Sequence, residues 1–326
     1  MIDPSKIFEI STSKEFESMA LDVFRFQIEK NPVYSIFCKH LGRTKTNITS
    51  FKEIPFLPIS FFKSKKVVSS KKKEQAIFSS SGTTGQITSK HYVSDLALYE
   101  KSYLKGFESF YGDVSEYCIL ALLPSYLERS GSSLIYMVDD LIKKSNHRDS
   151  GFYLDEIDVL IEKLIRLDSQ GKKVLLIGVS FALLDLVEKH QLNLKNTIVM
   201  ETGGMKGRRK ELIREELHDI LKKGFGTKTI HSEYGMTELL SQAYSQGNGI
   251  FNTPPWMKIL IRDTEDPLTL QEIGKTGGVN VIDLANINSC SFIATQDLGK
   301  KYNDDSFEIL GRFDNSDIRG CNLMVL

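Results

Sequence analysis

The segment Ser79-Ser80-Ser81-Gly82-Thr83-Thr84-Gly85 concentrates hydroxyls and glycines between an apolar run, Ala76 to Phe78, and a helix-like stretch that begins near Ser94. Glycine lets the backbone turn and bring N–H groups close to an anion, and Ser and Thr hydroxyls add donors that fold around phosphate oxygens. The loop suits nucleotide phosphates, and a Ser/Thr/Gly-rich surface turn has the same composition. It is not a Walker loop, because no Gly-Lys-Ser/Thr closes it and Gly82 and Gly85 stand too close together. Farther along, Tyr234-Gly235-Met236-Thr237-Glu238 follows the apolar approach Thr229-Ile230-His231. A tyrosine ring can stack on a flat base, glycine lets ligand and backbone approach, threonine can donate to a phosphate, and glutamate can hold Mg²⁺. Taken singly, such a tyrosine is more often a packed aromatic and such a glutamate a solvated helix-start acid. His231 either faces the nucleotide or is a satisfied strand histidine.

Further signals accompany these. Glu201-Thr202-Gly203-Gly204-Met205-Lys206-Gly207 follows an apolar run that ends at Met200 and precedes a helix-like segment from Arg208. A strand-to-helix turn is where an open α/β sheet places a nucleotide, and it is equally the ordinary start of a helix. Thr295-Gln296-Asp297 and Gly311-Arg312-Phe313-Asp314 each follow β-like runs. The Asp suits a ribose diol and the Arg a phosphate or ribose oxygen; in isolation, surface turns are as good an explanation.

The elements that must position these residues follow from periodicity. Thr12 and Glu15 form a capping box, after which Phe16, Met19, Ala20, Val23, Phe24 and Ile28 recur at helical spacing until Asn31-Pro32. Ile54-Pro55-Phe56-Leu57-Pro58-Ile59-Ser60-Phe61-Phe62 cannot continue a helix and reads as a buried extended connection. Apolar runs at Ala76 to Phe78, Tyr117 to Leu123, Val174 to Val179 and Thr197 to Met200 alternate with helix-like segments from Ser94, Ser132, Asp155 and Ser180. That alternation predicts an α/β fold of parallel strands joined by crossovers, with ligands beyond the carboxyl ends of the strands. After Pro254-Pro255, short strands and glycine turns at Gly274, Gly277-Gly278 and Gly299 predict a smaller β-rich subdomain, dividing the chain at 1–253 and 254–326.

Composition removes other function classes. Lys and Arg total 42 and so do Asp and Glu, so no global field favours a nucleic acid or an anionic membrane. The lysines at 63, 65, 66, 71, 72 and 73 read first as a solvated connector and second as a phosphate-steering patch. Cys38, Cys118, Cys290 and Cys321 show no paired metal or redox spacing and read as reduced thiols. With no long apolar segment, the expected location is the cytoplasm.

Phosphate loop, Gly-Gly turn, Tyr-Gly-x-Thr-Glu, Thr-x-Asp and Gly-Arg-x-Asp stand in the order found in the adenylate-forming (ANL) superfamily, which this sequence resembles. Within it the chain is most similar to the LuxE-type acyl-protein synthetases, through Phe24-Arg25-Phe26-Gln27, Asn31-Pro32-Val33-Tyr34, Ile54-Pro55-Phe56-Leu57-Pro58 and Arg319-Gly320-Cys321-Asn322-Leu323. The resemblance covers nearly the whole chain. It implies the large N-terminal-type domain of those enzymes, with parallel sheets flanked by helices and a small β-rich subdomain that ends at the hinge motif. The C-terminal lid is expected to be missing.

The resemblance also implies the roles. Ser79, Ser80, Ser81, Gly82, Thr83, Thr84 and Gly85 would grip the β- and γ-phosphates of ATP, and Gly203 and Gly204 would lie along adenine. Tyr234 would stack on adenine, Thr237 would contact the α-phosphate, Glu238 would bind Mg²⁺, Asp297 would hold the ribose hydroxyls and Arg312 would contact the nucleotide near the hinge. The reaction implied is activation of a carboxylic acid, foremost a fatty acid, to an acyl-adenylate, then transfer to a thiol. Cys321 is the expected acceptor, ahead of the alternative that it is a small buried hydrophobe, and a reductase or carrier protein is the expected later partner. Where many superfamily members carry a lysine three residues after the loop's last glycine, this chain has Thr88, and the next lysine is Lys90. The competing expectations are a phenylacetate-type acid–coenzyme A ligase, a non-catalytic nucleotide-binding homologue and an assembly subunit.

Overall fold

A computed structural model describes residues 2–80, 87–123, 131–154, 156–203 and 212–313. The first long helix, α1 (Ser13–Lys30), carries the expected capping box: Thr12 Oγ1 accepts from Glu15 N, and the Glu15 carboxylate accepts from Thr12 N. Its face of Phe16, Ala20, Val23 and Phe24 is buried, and each phenylalanine so placed contributes about 1.5–3 kcal/mol of transfer free energy. Asn31 ends α1 and its side chain caps α2 (Pro32–His40), where Pro32 occupies a position that needs no N–H. The residues that carried the closer resemblance are braces. Gln27 Nε2 donates to the carbonyl of Ile287 at 2.9 Å, Asn31 Nδ2 to that of Ser289 at 2.9 Å, and the Tyr34 hydroxyl to that of Pro55 at 2.7 Å.

The Pro-punctuated connection is extended at β1 (Leu57–Pro58) and then turns into a short helix, α3 (Phe61–Ser64). One expectation is corrected next. The run at Ala76 is not a strand of the parallel sheet: β2 (Ala76–Ser79) pairs antiparallel with β3 (Lys90–Val93) in a separate two-stranded sheet, with Ser79 opposite Lys90. The hydroxyl-rich loop therefore connects the arms of a hairpin, and its two ends are tied to each other by the strand ladder.

The α/β alternation then runs α4 (Leu96–Tyr111), β4 (Cys118–Leu122), α5 (Ser133–Ser145), β5 (Gly151–Phe152), α6 (Ile157–Ser169), β6 (Val174–Gly178), α7 (Ser180–Lys189), β7 (Thr197–Glu201), α8 (Arg214–Phe225) and β8 (His231–Tyr234). Strands β5, β4, β6, β7 and β8 lie side by side and parallel. Strands β4 and β6 are buried along their whole length, as a sheet covered on both faces requires. Beyond β8 follow β9 (Ala243–Ser245), β10 (Phe251–Asn252), β11 (Met257–Arg262), β12 (Thr276–Asp283), β13 (Phe292–Lys301) and β14 (Phe307–Arg312), all antiparallel to their neighbours in the order β11-β12-β13-β14-β10-β9-β8. Strand β1 adds parallel to β13.

The glycines after residue 254 divide by role. Gly274, at φ +84°, makes the expected turn, whereas Gly277, Gly278 and Gly299 lie inside strands. A Cβ on Gly278 would stand 2.5 Å from the Arg262 guanidinium carbon, so this glycine leaves room for a buried arginine.

Candidate active site

At the carboxyl end of β8, Tyr234 turns toward the antiparallel strands. Its ring meets Phe251 and Phe307 edge-on at 6.0 and 5.8 Å, and its hydroxyl donates to Asp297 Oδ2 at 2.8 Å. Burial, together with the Asp297 charge, raises the phenol well above its ordinary range, so it remains a donor. The register of β13 with β14 sets Arg312 opposite Asp297, and Arg312 Nε donates to Asp297 Oδ1 at 3.2 Å. The Arg312 side chain is 76% exposed, which leaves most of its guanidinium facing solvent. Behind them the buried Arg262 donates to the carbonyls of Thr295 (2.6 Å) and Val279 (2.8 Å), bracing the strand that carries Asp297.

Thr237 and Glu238 leave β8 as a turn held by its carbonyls. His91 Nδ1 lies 2.8 Å from the Thr237 carbonyl oxygen, and Asn286 Nδ2 donates to that of Glu238 at 2.8 Å. His91 Nε2 also stands 3.0 Å from Asn286 Oδ1. Burial holds the His91 ring down at about 4, and a neutral ring donates to only one of these oxygens at a time. The following residues are pinned by Asp283, which accepts from Leu240 N at 2.7 Å, Ser241 N at 3.0 Å and the Ser241 hydroxyl at 2.6 Å.

Glu238 is only 5% exposed. Burial pushes its carboxyl up, and Ser89 together with the charges of Arg312 and Lys63 pulls it part of the way back. Among the described residues no group of three or more His, Cys, Asp and Glu side chains could hold a metal ion. One enclosed carboxylate fits a Mg²⁺ whose other ligands are phosphate oxygens and water.

The mouth of the β2–β3 hairpin adjoins this turn. Ser79 N donates to the Gly131 carbonyl at 2.8 Å, Ser80 N to the Ser89 carbonyl at 3.1 Å, and Ser89 N to Ser80 Oγ at 2.9 Å. Ser80, Ser89 and Glu238 thus form a connected path from the loop base to the acid. Ser81, Gly82, Thr83, Thr84 and Gly85 lie outside the described residues, as do Gly204 and Cys321. Lys66, Lys71, Lys72 and Lys73 line a separate cavity of about 200 Å³, where Lys66 pairs with Glu74 and sits over the Tyr92 ring.

Gly203, at φ +69°, is anchored through Glu201 at the end of β7. The Glu201 carboxylate accepts from Gly203 N at 2.6 Å and from the Ser180 hydroxyl at 3.1 Å. Burial works against its charge, but His218, Arg214, Ser232 and the Gly203 amide outweigh that and hold the carboxyl at about 2. His231 lies 3.2 Å from the Tyr111 hydroxyl and is a strand histidine with its own partner. Cys38, Cys118 and Cys290 are buried, and burial pushes their thiols up to about 12, 11 and 12, so none is poised to be a thiolate.

The structure thus joins Tyr234, Asp297 and Arg312 directly, and brings Ser80 and Glu238 together through Ser89. Gly203 lies two residues past the end of the adjacent strand, β7. The positioning residues His91, Asp283, Asn286 and Arg262 carry no local signature in the sequence, because the partners that make them braces lie far along the chain. The run Asp283-Leu284-Ala285-Asn286 between two β-like segments was the available hint.

No protein-family model and no curated protein sequence matches the chain. Solved structures do. ATP-bound MatB from Rhodopseudomonas palustris superposes at a TM-score of 0.55 with 18% identity, over 73% of this chain and 48% of that one. The 2-hydroxyisobutyryl-CoA ligase in complex with 2-HIB-AMP and CoA, in an open conformation, gives 0.65 with 12% identity, over 93% and 70%. In the thioesterification state the same ligase gives 0.66, over 95% and 71%. The chain spans about half the length of the MatB structure. At these identities the likeness establishes the fold: an α/β architecture with a large, partly parallel sheet flanked by helices. No described helix is long and apolar enough to cross a membrane.

Proposed function

We propose that this chain activates a carboxylic acid with ATP and passes the acyl group to a thiol, as an acyl-protein synthetase does. The observation that carries the reading is the Tyr234–Asp297–Arg312 trio beside the braced Thr237–Glu238 turn, where the carboxyl edge of β8 meets the middle of β13 and the end of β14. In the first step a carboxylate oxygen of the acid attacks the α-phosphorus; the new O–P bond forms as the bond to pyrophosphate breaks, and no proton need move. Such a step depends on alignment and charge neutralisation rather than on a protein nucleophile. Asp297 accepts from the ribose hydroxyls, Tyr234 gives adenine an aromatic edge, Thr237 donates to the α-phosphate, and Arg312 presents its exposed donors to the nucleotide. Glu238 takes the metal, which supplies neutralisation of phosphate charge when bound. The hairpin loop from Ser79 to Gly85 holds the β- and γ-phosphates, and Gly203 with Gly204 lies along adenine.

In the second step a thiolate attacks the acyl carbonyl and AMP leaves. The enclosed thiols of Cys38, Cys118 and Cys290 are poor candidates, which directs the proposal to Cys321 or to an external thiol. Acid-dependent ATP–pyrophosphate exchange with Mg²⁺ tests the first step; no exchange with fatty, hydroxy, amino or aromatic acids would overturn it. For the second, Cys321→Ser is expected to keep exchange and to lose covalent labelling by acid plus ATP. A second reading, coenzyme A as the acceptor, is supported by the complex of the 2-hydroxyisobutyryl-CoA ligase with CoA; AMP release that depends on coenzyme A would select it.

A further inference from the structure

Successive residues of β8 face opposite sides of the sheet, and the side away from Tyr234 holds polar groups that find no partner among the described residues. Glu233 lies opposite Tyr244 and Tyr234 opposite Ala243, so the next positions out, Gly235 and Gln242, share the Glu233 side. The missing side chain of Gly235 confirms how close they are: a Cβ there would meet Glu233 Oε1 at 2.4 Å and Gln242 Cγ at 3.3 Å. On the neighbouring strand Glu201 lies opposite Ser232, which puts Thr202 beside Glu233. Thr202 Oγ1 and Gln242 Oε1 are buried without a hydrogen-bond partner. Among the described residues no hydrogen bond or ion pair reaches the Glu233 carboxyl; burial, and then the charge of Glu201, push it up to about 8.

The surrounding wall does not meet these needs. Tyr99 of α4 is close enough to feel the Glu233 charge, but its hydroxyl donates to the Ser133 carbonyl at 2.9 Å. The Tyr111 hydroxyl pairs with His231. A buried polar atom without a partner costs about 1–3 kcal/mol, and Thr202 and Gln242 bring two such atoms to the neighbourhood of the Glu233 carboxyl. Glu233 itself is not fully enclosed, so a ligand at the carboxyl edge of the sheet can reach it.

We propose that Thr202, Glu233 and Gln242 form the specificity subsite for the acid, and that the acid carries a hydrogen-bond donor, a hydroxyl or an amino group, on its chain. The inference rests on the adenylation reading and names its substrate class. Tyr234 takes the nucleotide on one face of β8, and the acid lies on the other, its donor shared between the Glu233 carboxyl and the Gln242 carboxamide oxygen. A plain hydrocarbon acid in the same place leaves these acceptors unpaired.

The test is acid-dependent ATP–pyrophosphate exchange by the purified full chain with acids matched in length: unsubstituted, hydroxy-substituted and amino-substituted. The expected result is a kcat/KM at least about tenfold higher for a hydroxy or an amino acid than for its unsubstituted match, and the better arm identifies the donor. Glu233→Leu and, separately, Gln242→Leu are expected to reduce that ratio toward unity by raising KM for the substituted acid, with the fold of each variant checked by circular dichroism. Equal or better exchange with the unsubstituted acid overturns the subsite while leaving adenylation standing. No exchange with any arm overturns the adenylation reading, and the subsite with it.

Discussion

The two faces of β8 solve the same problem in opposite ways. On the Tyr234 face the phenol, Asp297 and Arg312 satisfy one another and Arg262 braces the strand behind them through backbone carbonyls, so that side is organised before any ligand arrives. On the Glu233 face Thr202 and Gln242 each keep an unpaired polar atom, and among the described residues no cation pairs with Glu233. Glu201 sharpens the contrast, since it neighbours Glu233 and is the more enclosed of the two, yet is held at about 2 because His218, Arg214 and the Gly203 amide converge on it. Partners, rather than burial, decide whether a buried carboxyl is a structural anion or a neutral group awaiting a ligand.

The pH dependence of stability is the strongest test of that contrast, because the two acids have opposite signs. Glu201 has a folded value below its ordinary 4.5, so its contribution is present above about 4.5 and is lost as pH falls toward about 2. Its size is on the order of 3 kcal/mol, and Glu201→Gln should remove that part of the acid-side slope in urea unfolding. Glu233 has a folded value above 4.5, so the folded state holds the extra proton and stability falls as pH rises from about 4.5 to about 8. Glu233→Gln should flatten that decline, by on the order of 1 kcal/mol per pH unit at most. An unchanged slope in either variant would break the comparison.

Asp297→Ala strips the Tyr234 hydroxyl and Arg312 of their acceptor. It should lower unfolding free energy by about 1–3 kcal/mol, because the phenol is left buried and unpaired. Exchange should also drop, by about 10- to 100-fold, and adding Tyr234→Phe should recover stability without recovering exchange. The smallest effect belongs to Arg312→Ala. Its side chain is largely exposed, so stability should change by less than about 1 kcal/mol while the KM for ATP rises.

Much of this was legible in sequence wherever the signal is local. The capping box at Thr12 and Glu15, the proline breaks and the α/β alternation each depend on neighbours in the chain. The motif order pointed to residues that do meet: Tyr234 and Asp297 touch across 63 positions. The hairpin at Ala76 was misplaced because a short apolar run looks the same in either strand direction, and the partner strand Lys90–Val93, with Lys90 and His91, lacks a strong apolar pattern.

By itself, then, the sequence determined the helices with their caps, the α/β class and a set of polar residues at turns, because those follow from backbone preference and short-range spacing. Only the tertiary structure decided which polar residues found partners. His91 and Asn286 reach Thr237 and Glu238 across the fold, and Glu201 and Glu233 part company through side chains on other elements. Hydrogen bonding and desolvation act through space, where spacing along the chain carries no information.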